Sequence, residues 1–321
     1  MSPVSHSKKS PRKFSVPCSE KTGSFSPGSR CAVIPMSMIL AEKYHSCGND
    51  FLIIASSDVP EQQYSSLAQA ICDRHLGLGA DGCVFVRDLS PPQFHLRIFN
   101  QDGTEAGMSG NGFRCGCAFL HRHDRVDQPE VTLETGSGVK IYTLLEEAEG
   151  FWRYRSRMGA PSFDPAAIPF QAPSKLEQVQ AYSLEVQGQT VSIDALSVGN
   201  PQCVVFVEEF PEAAEFERMG GGLECHPCFP ERTNVSFVRV EDSHRLQIKI
   251  WERGVGPTHS SGTGACGAAV AAIRAERAQS PVQVHTQKGS QLVEWTPGGE
   301  ILLTGEVEFI GEMKFHGKQR V

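Results

Sequence analysis

The chain contains no unbroken apolar run that approaches the roughly 18 residues of a membrane span. Acidic residues are almost absent from residues 1–38, where six Lys and Arg side chains stand against Glu20 alone. The acidic excess behind the net charge of −7 therefore belongs to the rest of the chain. Such an acidic body lacks the concentrated Lys and Arg field that phosphate binding needs. We expect neither a membrane nor a nucleic-acid partner.

The chain also lacks a phosphate-binding loop and a complete zinc motif. The glycines of residues 77–82 have the wrong spacing for a phosphate loop, and no Gly-Lys-Ser or Gly-Lys-Thr follows them. Cys225 and Cys228 have the spacing of half a zinc site, without a second ligand pair. The 11 cysteines are scattered and odd in number, and several lie in apolar segments. They favour free buried thiols in the cytoplasm, with no metal.

The chain divides into a tail and two lobes. Residues 1–38 are rich in Ser, Pro and Lys without apolar periodicity, which predicts a disordered basic extension. The tail resembles an organelle transit peptide, but a non-functional extension before a start near Met36 or Met38 is the simpler interpretation. We expect an N-terminal lobe over residues 39–165 and a C-terminal lobe over residues 166–321, with a boundary near Pro165.

One internal duplication, seen in two pairs of matching segments, indicates that these lobes are equivalent. Residues 97–100 lead to Ser-Gly-Asn-Gly at 109–112, and residues 249–252 lead to Ser-Gly-Thr-Gly at 261–264, at an offset of 152. A second pair, Gly-Asn at 48–49 and at 199–200, has an offset of 151. If the halves face each other, each presents one hydroxyl and one helix N-terminus to a shared cleft.

The pattern of apolar residues predicts an α+β fold. Strands are expected at 51–55, 83–87 and 94–100, with helices over 61–75 and from Gly110, before a strand meander over 131–157. The second lobe repeats this order, with strands at 190–196, 203–207, 234–240 and 246–251, a helix from Gly262 to about Arg277, and a β-rich tail. Short turns between many of the strands favour mostly antiparallel, barrel-like sheets, each wrapped around a central helix.

Three groups of residues are candidates for chemistry. Ser109 and Ser261 open helices whose free N–H groups suit a carboxylate, although serine commonly only caps a helix. Glu252 and Arg253 follow a strand, where they could hold the ammonium and carboxylate of one amino acid or form a surface ion pair. Five asparagines at turns or strand ends could add neutral donors and acceptors, or be structural: Asn49, Asn100, Asn111, Asn200 and Asn234.

Several stretches resemble those of the diaminopimelate epimerases: HSCGNDF (45–51), RHLGLGADG (74–82), RIFNQDGTEAGMSGNGFRC (97–115), VGNPQC (198–203), FPERTNVSF (229–237) and WERGVGPTHSSGTGA (251–265). The resemblance implies a cofactor-independent amino-acid epimerase with two pseudo-symmetric lobes, commonly a homodimer. It implies catalytic positions at Ser109 and Ser261, and it implies substrate contacts at Asn49, Asn100, Gly110, Asn111, Asn200, Asn234, Glu252, Arg253, Gly262 and Thr263.

The chain departs from that pattern at the chemistry itself. The family has a cysteine before each Gly-x-Gly, where this chain has Ser109 and Ser261. Gln202 also stands where the family usually has His, and Pro257 where it often has Glu. A thiol has a pKa near ~8.5 that a helix N-terminus can lower, whereas an alcohol starts far higher.

Three functions therefore follow as hypotheses. The first is interconversion of LL- and meso-diaminopimelate with the serines in the acid–base positions. The second is a racemase or dehydratase of another amino or imino acid. The third is a catalytically silent ligand-binding homologue. Serines introduced by hand to trap a complex are a further possibility, against which Gln202 and Pro257 argue, because a trapping design would leave both unchanged.

Overall fold

The computed structural model describes residues 38–90 and 93–316. The predicted N-terminal extension lies outside the described residues, apart from Met38. Within the described ranges, no helix is long and apolar enough to cross a membrane.

In the first half, each helix follows one strand and precedes another along the chain. The strands are β1 (Ile39–Ser46), β2 (Asn49–Ala55), β3 (Gly82–Asp88), β4 (Gln93–Asn100), β5 (Glu105–Ala106), β6 (Glu130–Thr135), β7 (Gly138–Ala148) and β8 (Phe151–Gly159). The helices are α1 (Tyr64–Cys72), preceded by 3₁₀ turns at Ser56–Asp58 and Glu61–Gln63, and α2 (Gly110–Arg122).

The second half repeats that order. Its strands are β9 (Val179–Val186), β10 (Gln189–Ser197), β11 (Pro201–Phe206), β12 (Asn234–Asp242), β13 (Arg245–Glu252), β14 (Gly256–Thr258), β15 (Val282–Thr286), β16 (Gly289–Glu294) and β17 (Ile301–Phe315). The helices are α3 (Ala213–Glu224) and α4 (Gly262–Arg274).

Each half closes a ring of strands around one helix. In the first ring, β1, β2, β3, β4, β6, β7 and β8 pair in succession, and β17 pairs with both β8 and β1. In the second ring, β10, β11, β12, β13, β15, β16 and β17 pair in succession. The β17–β8 pairing and a bridge between Ser162 and Ser197 complete this ring. Because β8 and β17 belong to both rings, the halves are joined by shared strands.

Whether two neighbouring strands are parallel or antiparallel depends on whether a helix connects them. The parallel pairs are β2–β3, β4–β6, β11–β12 and β13–β15, and each pair is connected through a helix, as parallel neighbours require. The other strand pairs of the described chain are antiparallel. This architecture confirms the predicted α+β fold with mostly antiparallel, barrel-like sheets.

The duplication extends to the register of the strands. Phe51 on β2 is paired with Gly82 on β3, and Gln202 on β11 is paired with Asn234 on β12. These two equivalences reproduce the sequence offsets of 151 and 152. The halves therefore share one strand register as well as one order of elements.

The cores show which helix is enclosed. Phe113 and Leu120 of α2 pack inside the first ring with Tyr44 and Val84, and Ala268 of α4 packs inside the second ring among side chains of β11 to β17. Helices α1 and α3 cover the outer faces of the same sheets. Each half is thus a sheet with one helix inside and one outside.

Helix α3 is the main element that the sequence pattern did not predict. It contains Gly220-Gly221-Gly222, a run that normally breaks a helix because glycine has a high conformational entropy. A Cβ on Gly220 would lie 2.8 Å from the Trp251 ring. Gly220 is therefore needed because the helix backbone packs directly against this indole.

Two neighbouring glycines should respond to alanine in opposite directions. Gly220→Ala should lower the melting temperature, because the indole is packed against Phe216 and bonded to Glu224 and cannot move easily. Gly221→Ala should raise stability by about 0.5–1 kcal/mol, since its Cβ would meet the same ring at an ordinary 3.4 Å. Thermal unfolding of both variants checks this. A Gly220→Ala protein as stable as Gly221→Ala would contradict the packing argument.

Candidate functional site

The N-termini of the two enclosed helices open into one cavity of about 380 Å³, which we call the serine cavity. Ser109 and Ser261 both line it, each immediately before its helix. Six further predicted site residues line it with them: Asn49, Asn100, Gly110, Asn111, Glu252 and Gly262. The structure therefore brings together the two hydroxyls that the duplication pairs.

Both serines also cap their helices. Ser109 Oγ accepts a hydrogen bond from Gly112 N at 3.2 Å, and Ser261 Oγ accepts one from Gly264 N at 3.2 Å. Both residues have the extended backbone of an N-cap, with φ of −148° and −145°. Each serine therefore both caps its helix and lines the cavity. An N–H bond to Oγ stabilises negative charge on that oxygen and leaves the hydroxyl proton free to be donated.

Asn49 reaches the serine cavity from a tight turn. Cys47 and Gly48 have φ of 52° and 73°, the positive values of a two-residue hairpin between β1 and β2. Asn49 Nδ2 then donates to Asp81 Oδ2 at 2.7 Å, and Arg74 links Asp81 to Asp50.

Asp50 anchors that turn. Burial alone would raise the pKa of its carboxyl, but the bonds and charges of Arg74 and Lys43 outweigh burial and lower the pKa from 3.8 to about 2. Lys43 Nζ lies 2.8 Å from Asp50 Oδ2. The turn is therefore held by a carboxylate that stays charged across the working pH range.

Asn111 connects the two halves across the cavity. Its Nδ2 donates to Asn49 Oδ1 at 3.3 Å in the first half and to Ser260 Oγ at 3.3 Å in the second. Its Oδ1 accepts from Arg114 Nη2 at 2.5 Å. The first turn of α2 is thus bonded to the residue that precedes Ser261.

Glu252 is the acid of the second half that lines the serine cavity. It ends β13 and lines the serine cavity, and no hydrogen bond or ion pair from the described residues reaches its carboxyl. Burial raises the pKa of Glu252 above its ordinary 4.5. A half-buried carboxyl with a raised pKa can accept a proton from a group in the same cavity.

A second cavity of about 490 Å³, the basic cavity, meets the first at Met108. Three of the predicted residues line this cavity: Asn200, Arg253 and Thr263. Lys140 and Arg157 join them, and no acidic side chain lies in the lining. Arg157 pairs with Glu300 outside the cavity, whereas no carboxylate of the described chain pairs with Arg253 or Lys140. This charge distribution suits an anionic group.

A chain of polar contacts runs from Gln202 to Ser261. Gln202 Nε2 donates to Asn200 Oδ1 at 2.8 Å, Asn200 Nδ2 donates to Thr263 Oγ1 at 3.3 Å, and Thr263 Oγ1 lies 3.4 Å from Ser261 Oγ. The chain orients the second serine from behind. Gln202 cannot relay a proton in the way that a histidine can, because an amide does not titrate.

Asn234 lies behind both cavities instead of lining either. Its buried amide donates to Pro201 O at 3.0 Å and accepts from Arg253 N at 3.0 Å. It therefore supports the backbone of Arg253, and a direct contact with a ligand stays a prediction.

Sequence reasoning missed Met108, Ser260, Lys140 and Arg157. It also missed Arg114, although a charged residue between apolar neighbours in a predicted helix was a signal. Within the described residues, no group of three or more His, Cys, Asp or Glu is placed to hold a metal ion.

Comparisons with known proteins agree with the motifs. The family profile described as diaminopimelate epimerase matches residues 41–163 and 195–310. A diaminopimelate epimerase from Pelotomaculum thermopropionicum is 37% identical over 277 residues, which cover 85% of this chain and 98% of the relative. One from Pseudomonas fluorescens is 40% identical over 269 residues, or 82% and 94%. The family resemblance predicted from the motifs is confirmed.

Solved structures share the fold at low identity. A phenazine biosynthesis protein of the PhzF family from Bacillus anthracis has a TM-score of 0.62 at 17% identity, covering 87% of this chain and 99% of its own. A hydroxyproline epimerase from Agrobacterium vitis, solved with bound trans-4-hydroxy-L-proline, has a TM-score of 0.57 at 15% identity, covering 87% and 92%. At these identities the likeness supports the two-barrel fold alone.

Proposed function

We propose, because the chain belongs to the diaminopimelate epimerase family, that it interconverts LL- and meso-diaminopimelate by moving a proton at one α-carbon without a cofactor. One observation carries the proposal: Ser109 and Ser261, each at the start of an enclosed helix, line the same cavity. An α-carbon held between them has one hydroxyl on each face. One side removes the proton and the other returns one, which inverts the centre.

Two adjoining cavities suit a substrate with two amino-acid head groups. Diaminopimelate carries an ammonium and a carboxylate at each end. The reacting end fits the serine cavity, where the free N–H groups of the helix N-termini meet its carboxylate. The distal carboxylate fits the basic cavity beside Arg253 and Lys140. A single short amino acid would leave the second cavity unfilled.

The removal step is the difficult one for serine. Each pKa unit that a base must overcome costs about 1.36 kcal/mol, and an alcohol lies many units above a thiol. We therefore assign Glu252 as the final acceptor on the side of Ser261. As Ser261 takes the α-proton, its own hydroxyl proton passes to the Glu252 carboxylate. Ser109 gives its hydroxyl proton to the opposite face and is left as an alkoxide, so the negative charge moves from Glu252 to Ser109. After product release, Ser109 takes a proton from water and Glu252 returns one to water, which restores both groups.

Assembly as a homodimer in the cytoplasm completes the proposal. Exposed Leu40 on β1 and Ile310 on its neighbour β17, with exposed Met38 just before β1, offer apolar surface for a second copy. Sedimentation velocity showing only a monomer would remove that part. Cytoplasmic location is supported by the nine described cysteines, which are free, seven of them buried.

Isotope exchange tests the function directly. The purified protein with LL-diaminopimelate in deuterated water should incorporate deuterium at one α-carbon and form the meso isomer, measured by mass spectrometry and chiral separation. The double variant Ser109→Cys with Ser261→Cys should exchange about tenfold faster or more, because a thiol is far more readily deprotonated.

The double variant also serves as the positive control. Both serines are only half-buried, so the larger sulfur has room. Binding of diaminopimelate by calorimetry with no exchange by either protein would indicate the silent binding homologue. Absence of both binding and exchange would refute the proposed substrate.

The fall of kcat/KM at low pH should report the protonation of Glu252. A base must be unprotonated, so kcat/KM should fall as pH drops through the raised pKa of Glu252, at a pH above its ordinary 4.5. Glu252→Gln should lower kcat by about a hundredfold and abolish that acidic fall.

Glu105→Gln is the matched control, because Glu105 pairs with Arg97 on an exposed part of the first half. Its acid limb should match that of the parent protein. An unchanged acid limb in Glu252→Gln would exclude Glu252 as the base.

A further inference from the structure

Arg114 on α2 is fully buried and is the largest such side chain among the described residues. Its guanidinium donates through Nη2 to Asn111 Oδ1 at 2.5 Å and through Nε to Ser46 Oγ at 3.3 Å. Its Nη1 has no hydrogen-bond partner, and no carboxylate of residues 38–90 or 93–316 pairs with it. Burying an unpaired charge costs several kcal/mol. A charge that is kept buried despite this cost in stability is expected to have a function.

The neighbours of the guanidinium do not neutralise it. Burial raises the pKa of the nearby thiols Cys47, Cys115 and Cys266, so they remain protonated even though the Arg114 charge opposes that rise. A Cβ on Gly305 of β17 would lie 2.7 Å from Arg114 Cζ. The glycine therefore makes room for the cation on a strand that belongs to both rings.

The bond to Asn111 has a geometric consequence. Because Oδ1 of Asn111 accepts from Arg114, the Nδ2 group of the same amide must point the other way. There it donates to Asn49 and to Ser260, one from each half. Without the guanidinium, this amide could turn over and lose both bonds. Arg114 thus determines how the walls of the serine cavity meet.

We propose that Arg114 is a positioning residue for the proton transfer, which fixes the Asn111 bridge and supplies the positive field that stabilises the anion left when the α-proton departs. The inference rests on the proposed function. Arg114 does not line the serine cavity. It lies three residues after Asn111, which does, and its charge acts on the cavity through the Asn111 side chain in the first turn of α2. No carboxylate of the described chain is paired with this guanidinium, and its charge stays effective for that reason, because the field of a paired guanidinium is largely cancelled by its partner.

The test compares Arg114→Met and Arg114→Lys with the parent, in the natural sequence and in the background with cysteine at both 109 and 261. Deuterium exchange gives kcat and KM, and thermal unfolding gives stability. Arg114→Met should lose about tenfold or more in kcat with a smaller change in KM, while its melting temperature stays equal or rises because an unpaired buried charge is gone. Arg114→Lys keeps the charge and should lie between.

Arg122→Met is the matched control on the same helix, since Arg122 pairs with Glu42 and Glu312 away from the cavity. Its kcat should stay within about twofold of the parent value. Should Arg114→Met not fold, Gly305→Ala displaces the guanidinium without removing it and should lower kcat in the same way.

The outcomes separate the two proposals. A parent that exchanges deuterium, together with a folded Arg114→Met protein of equal kcat, overturns the role of Arg114 and leaves the epimerase function intact. Equal losses of kcat and melting temperature in Arg114→Met and Arg114→Lys would also overturn it, because a structural role alone predicts them. If the protein with Arg114 intact shows no deuterium exchange, either with the natural serines or with cysteine at both 109 and 261, the proposed function fails and this inference fails with it.

Discussion

Enclosure of a helix inside a ring of strands is the constraint on which this structure depends. The first four N–H groups of a helix have no partner within it, and a helix surrounded by a sheet can meet water only at its ends. The caps from Ser109 and Ser261 satisfy one N–H in each helix. Gly110, Asn111 and Gly262 of these first turns line the serine cavity. The site therefore lies where closure of the two rings, through the shared strands β8 and β17, brings both N-termini together.

The duplicated halves have diverged at positions in and next to the two cavities. Asn100 and Asn111 in the first half stand where the second half has Glu252 and Thr263, 152 residues later, and Arg114 corresponds to Cys266. The first half thus contributes an amide bridge with a cation behind it. The second half contributes a free carboxyl and a polar chain from Gln202. A pseudo-symmetric scaffold carries an asymmetric set of charges.

Local sequence signals predicted the parts of the site that depend on local structure. Serine before a run of small and apolar residues indicates a helix start, so Ser109 and Ser261 could be located and then paired through the duplication. Contacts between distant segments could not be predicted in this way. Gly305 comes close to Arg114 only once the rings close. In the same way, only closure makes Met108 line both cavities. For Asn234, the structure shows bonds to Pro201 O and from Arg253 N that the sequence did not predict, and its expected contact with a ligand stays a prediction.

Reversibility requires that each serine can exist briefly without its proton, and the two sides meet this need differently. On the second side, Ser261 shares its cavity with the unpaired Glu252, which can take the hydroxyl proton. Among the described residues of the first half that line the cavity, the only acid is Asp81, which is bonded to Asn49 and Arg74. Ser109 instead caps the helix that carries Arg114, and under the proposed mechanism the Arg114 charge and the Gly112 N–H would stabilise its alkoxide. Under the proposed mechanism, a base on one side and a cation on the other would let alcohols act at the two positions where the family resemblance implies thiols.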